Sequence, residues 1–358
     1  MIVDEPVRGS FPYLEQPGLF SLTGLEQLRL WTAGRLPAPP ITHLTGLVVD
    51  AADEGTSTWS IPASPWWSTA AGIFPGGALA FVADAALAGA VFTTLPPRTA
   101  LLSSDLSINF LEPAGPASDR LVATGTVIHT GRRQGLSEAR VEDARGALLA
   151  HATLRCVLQP LPFDPPPAPE ELPPVDPPMD GPLDPYLRAP EGAIVPQDVW
   201  DETGGLDLLQ LWAKGDRAPA PVCALLGLRF DDVSEGSVAL SMPASVWCCT
   251  GFGTFYGGAV TAFADAAITS AVMTTLPPGA SFGTLDLKMN FLRPVTPDGR
   301  DLVARATVAQ RGRTIAVATC AVDDADGKRV AMTTGSSMIS VDRPWPTVET
   351  TGPPPSAR

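Results

Sequence analysis

Residues 74–97 read FPGGALAFVADAALAGAVFTTLPP, and residues 255–278 read FYGGAVTAFADAAITSAVMTTLPP. The two stretches share Phe, Gly-Gly-Ala, Ala-Asp-Ala-Ala and a closing Thr-Thr-Leu-Pro-Pro at an offset of 181 residues. Each is almost entirely Ala, Leu, Phe, Val and Thr, with one charge near its middle. A stretch apolar on all sides reads as a fully buried helix, and Pro-Pro terminates it. The expected helices are Gly76–Thr94 and Gly257–Thr275.

The same offset holds outward from this pair. Trp31 matches Trp212, Asp50 matches Asp231, and Pro62-Ala63-Ser64 matches Pro243-Ala244-Ser245. Downstream, Asn109-Phe110-Leu111 returns as Asn290-Phe291-Leu292, Leu121-Val122-Ala123 as Leu302-Val303-Ala304, and Gly131-Arg132 as Gly312-Arg313. One register kept without a gap from about Trp31 to Leu158 marks a tandem duplication. The stretch from Gln159 to Pro196 holds 14 prolines and can form neither a helix nor a ladder. The expected organisation is therefore a domain over 1–158, an extended Pro-rich linker over 159–198, a second domain over 199–341, and a Pro-rich tail over 342–358.

Within one copy, Leu22 to Trp31 has helical apolar spacing. Strand-like runs follow at Leu44–Asp50 and Thr56–Ile61, and four more come after the helix, at Ala100–Leu111, Leu121–Thr130, Gln134–Asp143 and Ala147–Leu158. Two strands, a long buried helix and a meander of strands predict an α+β fold, a curved antiparallel sheet wrapped around a central helix. That is the hotdog arrangement. Two copies in one chain predict a pseudo-dimer.

The net charge of −14 argues against nucleic acid and anionic membrane surfaces as partners. An Asp inside each apolar stretch argues against a membrane span, and no secretory signal is visible at the N-terminus. Five cysteines without metal-ligand spacing suit a reduced cytoplasm. The three histidines, His43, His129 and His151, all lie in the first copy and off the helix. A His-dependent dehydratase is thereby disfavoured. No zinc spacing, phosphate loop or nucleophile elbow is present.

Asp84 and Asp265 are each the single ionisable group of an otherwise apolar helix. Burying a carboxylate there is unfavourable without a partner or a purpose, and the same residue stands in both copies. Gly76-Gly77 and Gly257-Gly258 begin these helices, where N–H groups lack internal partners and glycine admits close approach. Such a start is an oxyanion donor for a polarised carbonyl, or it merely shapes a tight turn. Asp84 lies eight residues beyond Gly76, about 12 Å along a helix. A donor and carboxylate acting on one group must therefore come from different helices. Antiparallel pairing would bring Gly257 to Asp84 and Gly76 to Asp265.

The pattern Gly-Gly, six residues, Asp, then Ser103-Ser104-Asp105 or Thr284-Leu285-Asp286, resembles the PaaI-like acyl-CoA thioesterases over nearly all of both copies. The resemblance implies hydrolysis of an acyl-CoA or acyl-carrier-protein thioester without a cofactor. It casts Asp84 and Asp265 as general base or nucleophile, Gly76 and Gly257 as carbonyl-polarising donors, and Ser103 and Thr284 as assisting hydroxyls. Where the family has His before Gly-Gly, this chain has Pro75 and Tyr256, and where an Asn is common it has Thr69 and Thr250. Thr69, Thr250, Tyr256, Gly77 and Gly258 are expected beside the substrate, with Arg132 and Arg313 (next to Arg133 and Arg311) facing coenzyme A phosphates. Trp66, Trp67, Phe74, Trp247, Phe252 and Phe255 line an acyl pocket or, more commonly, pack in the core. A homodimer of such chains is compatible with the pattern. The alternative class is a hotdog protein that binds an acyl thioester or apolar ligand without hydrolysis, or one using the Asp pair for isomerisation or cyclisation.

Overall fold

The structure, a computed structural model, describes residues 1–172, 175 and 183–341; the tail assigned to 342–358 and part of the Pro-rich stretch lie outside them. The first copy contributes β1 (Val48–Asp53), β2 (Thr56–Pro62), β3 (Thr99–Phe110), β4 (Arg120–Thr130), β5 (Gln134–Asp143) and β6 (Leu148–Pro160). The second contributes β7 (Arg229–Ser234), β8 (Ser237–Pro243), β9 (Ser281–Phe291), β10 (Asp301–Arg311), β11 (Ile315–Asp323) and β12 (Arg329–Ser340). They form one twelve-stranded sheet in the order β1-β2-β4-β5-β6-β3-β9-β12-β11-β10-β8-β7. Alternation along each strand turns residues such as Leu121, Ala123 and Val141 inward onto the helix and leaves their neighbours outside.

The halves join where β3 pairs antiparallel with β9. Ser107 faces Lys288 at the centre, and these are equivalent positions of the repeat. Asp105 faces Asn290 on one side, and Asn109 faces Asp286 on the other. The pseudo-twofold axis therefore passes through the Ser107–Lys288 pair, and the join removes two edges that would otherwise be free.

Two central helices, Gly76–Thr93 and Gly257–Met273, lie against this sheet. The first is long and apolar enough to cross a membrane by length and composition, but the sheet and the second helix bury most of it. They cross antiparallel and close together: a Cβ on Gly77 would stand 2.8 Å from the Ala262 Cα. Only glycine permits that approach.

Three local readings are corrected. Leu44 belongs not to a strand but to a short helix, Pro40–Thr45, which Gly46 ends in the left-handed region at φ +74°. Both central helices stop one or two residues before the expected ends. Gln159 and Pro160, expected to lie outside any ladder, pair within β6 opposite Ala100 and Thr99, and residues 183–198 pack against the domains. These last residues are an arm laid on the first copy, where the Trp66 indole donates to the Arg188 carbonyl at 3.0 Å and the Val195 N–H to Ala70 at 2.8 Å. The chain's own start does the same to the second copy, with the Trp247 indole donating to the Glu5 carbonyl at 3.1 Å. The two arms meet in a Glu5–Arg188 ion pair of 2.7 Å.

Candidate active site at the crossed helix starts

The antiparallel crossing brings the start of each helix to the middle of the other. Gly77 N–H donates to Asp265 Oδ2 at 2.7 Å. On the other side, a Cβ on Gly257 would stand 3.1 Å from Asp84 Oδ2. Asp84 and Asp265 are 2% and 0% exposed, and neither forms an ion pair among the described residues. In each, the Oδ1 atom is buried without a hydrogen-bond partner.

Burial with no neutralising cation raises both carboxyls. Asp84 is pushed up from its usual range to about 7, with the Gly258 N–H and then the Ser103 hydroxyl acting the other way. Asp265 is pushed up to about 6, opposed by the Gly77 N–H. Groups in this range carry and release protons near neutral pH, as a general base must.

The sites differ in detail. Ser103, at a bulge in β3, has its hydroxyl near enough to Asp84 to favour the charged carboxyl. Thr284 occupies the matching bulge in β9, yet the Gly77 N–H is the group that bonds Asp265, and no hydrogen bond joins Thr284 to it among the described residues. The ring of Phe110 covers Gly76, where an added Cβ would be 2.6 Å away, and Phe291 lies more loosely over Gly257, at 3.6 Å. These two aromatic residues escaped the sequence reading as site residues. Their signal was the repeated Asn-Phe-Leu.

Several expected contact groups are engaged elsewhere. Tyr256 is buried, and its hydroxyl donates to the Phe81 carbonyl on the opposite helix while its ring meets Phe81 edge-on. It ties the helices together beside Asp84, its proton already donated within the helix pair. Thr69 closes its own loop by bonding the Ile73 carbonyl at 2.8 Å, and Thr250 bonds the Thr254 hydroxyl at 2.9 Å. Trp66, Trp67 and Trp247 are core, each at most 1% exposed. Arg132 and Arg313 sit exposed at the β4–β5 and β10–β11 turns. A contact of 3.3 Å between Thr94 and Thr130 ties the β4–β5 turn to the far end of the first helix. Arg132 thus lies beyond Asp84, on the side away from Gly76.

The sequence profile of the thioesterase superfamily matches residues 71–150 and again 252–331. The chain carries two thioesterase-superfamily domains. No curated protein matches the chain. Among solved structures, the tesB protein of Mycobacterium avium subsp. paratuberculosis superposes with TM-score 0.51 at 10% identity, over 84% of this chain and 98% of that one. A hot dog fold protein of unknown function from Alicyclobacillus acidocaldarius gives 0.50 at 17% identity, over 84% and 97%. These likenesses establish the shared fold across both domains. The E. coli PaaI protein from the phenylacetic acid degradation operon is 25% identical over 32% of this chain and 81% of its own, with TM-score 0.31. Both thioesterase-superfamily matches include the Gly-Gly start and the Asp of one central helix, so each composite site draws on both domains.

Proposed function

We propose that the chain hydrolyses an acyl thioester, of coenzyme A or of an acyl-carrier protein, at two composite sites. The observation that carries this reading is the pair of buried, cation-free carboxylates, each set at the start of the opposite helix with one oxygen unpartnered. Such an arrangement is unfavourable for folding and useful for chemistry.

In this reading the carboxylate is a general base. Asp84 or Asp265 takes a proton from water as the water oxygen bonds to the thioester carbon. The carbonyl π electrons move to oxygen, which faces the Gly257 or Gly76 N–H at the positive end of a helix. Collapse restores the carbonyl and breaks the C–S bond, and the carboxyl proton goes to the departing thiolate. Water is consumed, and a carboxylic acid and a thiol are released. Ser103 would hold Asp84 in place, while Arg132 and Arg313 would offer charge to the phosphates of the carrier.

The test is release of free thiol from a panel of straight-chain acyl-CoA thioesters, acetyl to decanoyl, by the intact chain. Turnover that survives in the Asp84→Asn, Asp265→Asn double variant would remove the carboxylates from the mechanism.

A further inference from the structure

The two sites differ at the ring that stands over each helix start. Phe110 and Phe291 are equivalent at the 181-residue offset, end β3 and β9, and pack half-buried against the core. A Cβ on Gly76 would overlap three atoms of the Phe110 ring, at 2.6, 2.9 and 3.0 Å. That ring therefore packs directly on the Gly76 Cα, with no layer of atoms between. A Cβ on Gly257 would be 3.6 Å from Phe291, an ordinary contact distance, and 3.1 Å from Asp84 Oδ2. The Phe291 ring stands farther off.

The sequence supplies a cause. Tyr256 N–H donates to the Cys248 carbonyl at 2.9 Å and so folds the loop before the second helix back on itself. Pro75 occupies the equivalent position and has no N–H to do the same. There the loop is tied instead to the segment after β3, by the Phe74 N–H to the Ala114 carbonyl at 2.9 Å. No matching bond joins Phe255 to Val295 among the described residues. The tie in the first copy holds the strand end that bears Phe110 against the helix start.

The Cα–Cβ direction of a helix tilts toward its N-terminus, the side on which the first N–H is left without an internal partner. A ring in the Cβ direction of Gly76 or Gly257 therefore borders the place where a thioester carbonyl would meet that N–H. The atoms flanking the carbonyl, sulfur and the acyl α-carbon, are the first that such a ring touches. Sulfur is common to every thioester, so the α-carbon is where substrates differ.

We propose that Phe110 and Phe291 are specificity-determining residues that read the bulk on the acyl α-carbon. The Gly76 site takes unbranched acyl groups, and the Gly257 site admits α-branched ones as well. This rests on the thioester-hydrolysis reading and adds a substrate class to it.

The experiment uses the full chain. In Asp84→Asn turnover passes through the Gly76 site with Asp265 as base, and in Asp265→Asn through the Gly257 site. Each variant is given butyryl-CoA against isobutyryl-CoA, and hexanoyl-CoA against 2-methylpentanoyl-CoA, isomers of equal carbon number. The ratio of kcat/KM, straight over branched, should be about tenfold or more larger at the Gly76 site, the scale on which a pocket rejects one methyl group. Phe110→Leu, added to Asp84→Asn, should bring the ratio down toward that of the Gly257 site by raising turnover of the branched isomer. Both isomers meet the same enzyme population, so partial unfolding cancels from the ratio, and comparing the two single-Asn chains needs no change at either ring. Equal ratios at the two sites would overturn the proposal. So would a Phe110→Leu chain that keeps its parent's ratio, or an Asp84→Asn chain inactive on both isomers while Asp265→Asn works. Those results leave thioester hydrolysis standing, whereas full turnover in the double Asn variant fails the hydrolytic reading itself.

Discussion

Asp265 accepts a 2.7 Å hydrogen bond from the N–H of Gly77, a residue 188 positions away in the other copy of the repeat. That bond joins the helix start of one domain to the buried carboxylate of the other. A chain that fuses the two copies guarantees that each helix start finds its carboxylate without an encounter between separate subunits.

The first prediction concerns the carboxylates singly. Asp84→Asn should reduce thioester turnover more than Asp265→Asn. The Asp84 site has both the Ser103 hydroxyl and a looser aromatic cover, Phe291 at 3.6 Å against Phe110 at 2.6 Å. Initial-rate measurements on the two single variants decide the order, and equal losses would show that these differences do not reach the chemistry.

The pH dependence should separate the sites. Each carboxyl must be ionised to accept a proton, so the rate rises with pH through its raised value. In Asp265→Asn, where only Asp84 works, the acid limb should have its midpoint near 7, and in Asp84→Asn near 6. Rate profiles from pH 5 to 9 that give both variants a midpoint near an ordinary carboxyl value of about 4 would contradict the burial argument.

The same burial makes a statement about stability. A carboxyl whose folded value is raised binds its proton more tightly folded than unfolded, so stability falls as pH climbs from about 4 to the raised value and is then level. Above pH 8 both native carboxylates are charged and dry. Asp84→Asn should therefore stabilise the chain at pH 8, by about 4 kcal/mol at most. At pH 4 the gain should vanish. Denaturant melts at the two pH values measure it, and destabilisation at pH 8 would count against the purely electrostatic account.

Gly77→Ala tests the helix crossing. The new methyl would meet the Ala262 Cα at 2.8 Å, so the helices must part. A loss of about 1–3 kcal/mol is expected, as for overpacking in a core. The displaced Gly77 N–H should also cut turnover at the Asp265 site more than at the Asp84 site, read by placing the change in each single-Asn background. A fully stable variant would mean that the helices can separate freely.

Tyr256→Phe separates a structural tie from a substrate contact. Its hydroxyl bonds the Phe81 carbonyl inside the helix pair, so removal should lower stability by about 1–2 kcal/mol with KM unchanged. A raised KM at unchanged stability would return Tyr256 to the substrate.

The composite nature of the site was legible in advance because it follows from arithmetic along one helix. Eight residues separate Gly76 from Asp84, too far for one thioester, and the duplication supplies the second helix. The partners of individual hydroxyls were not legible. Ser103 and Thr284 look alike in sequence, yet only Ser103 is near enough to its carboxylate to lower it. Thr69 and Thr250 have the chemistry to meet a substrate but close their own loops. Such choices turn on about 1 Å of displacement at a strand bulge or a loop, which residue type does not encode.

By itself the sequence determined the duplication, the two buried helices, the strand segments of each copy and the two acidic residues. All of these are properties of apolar periodicity and of a register kept at 181 residues. The meander it suggested would set β3 beside β4, where the sheet sets β3 between β6 and β9. Only the tertiary structure decided that β3 and β9 join about the Ser107–Lys288 pair, that the arms at Glu5 and Arg188 cross onto the opposite copies, and that Gly77 is the residue that meets Asp265. Periodicity tells which face of a strand is buried, because alternation fixes it locally. It cannot tell which buried atom meets which, because that depends on how two separately encoded surfaces settle against each other.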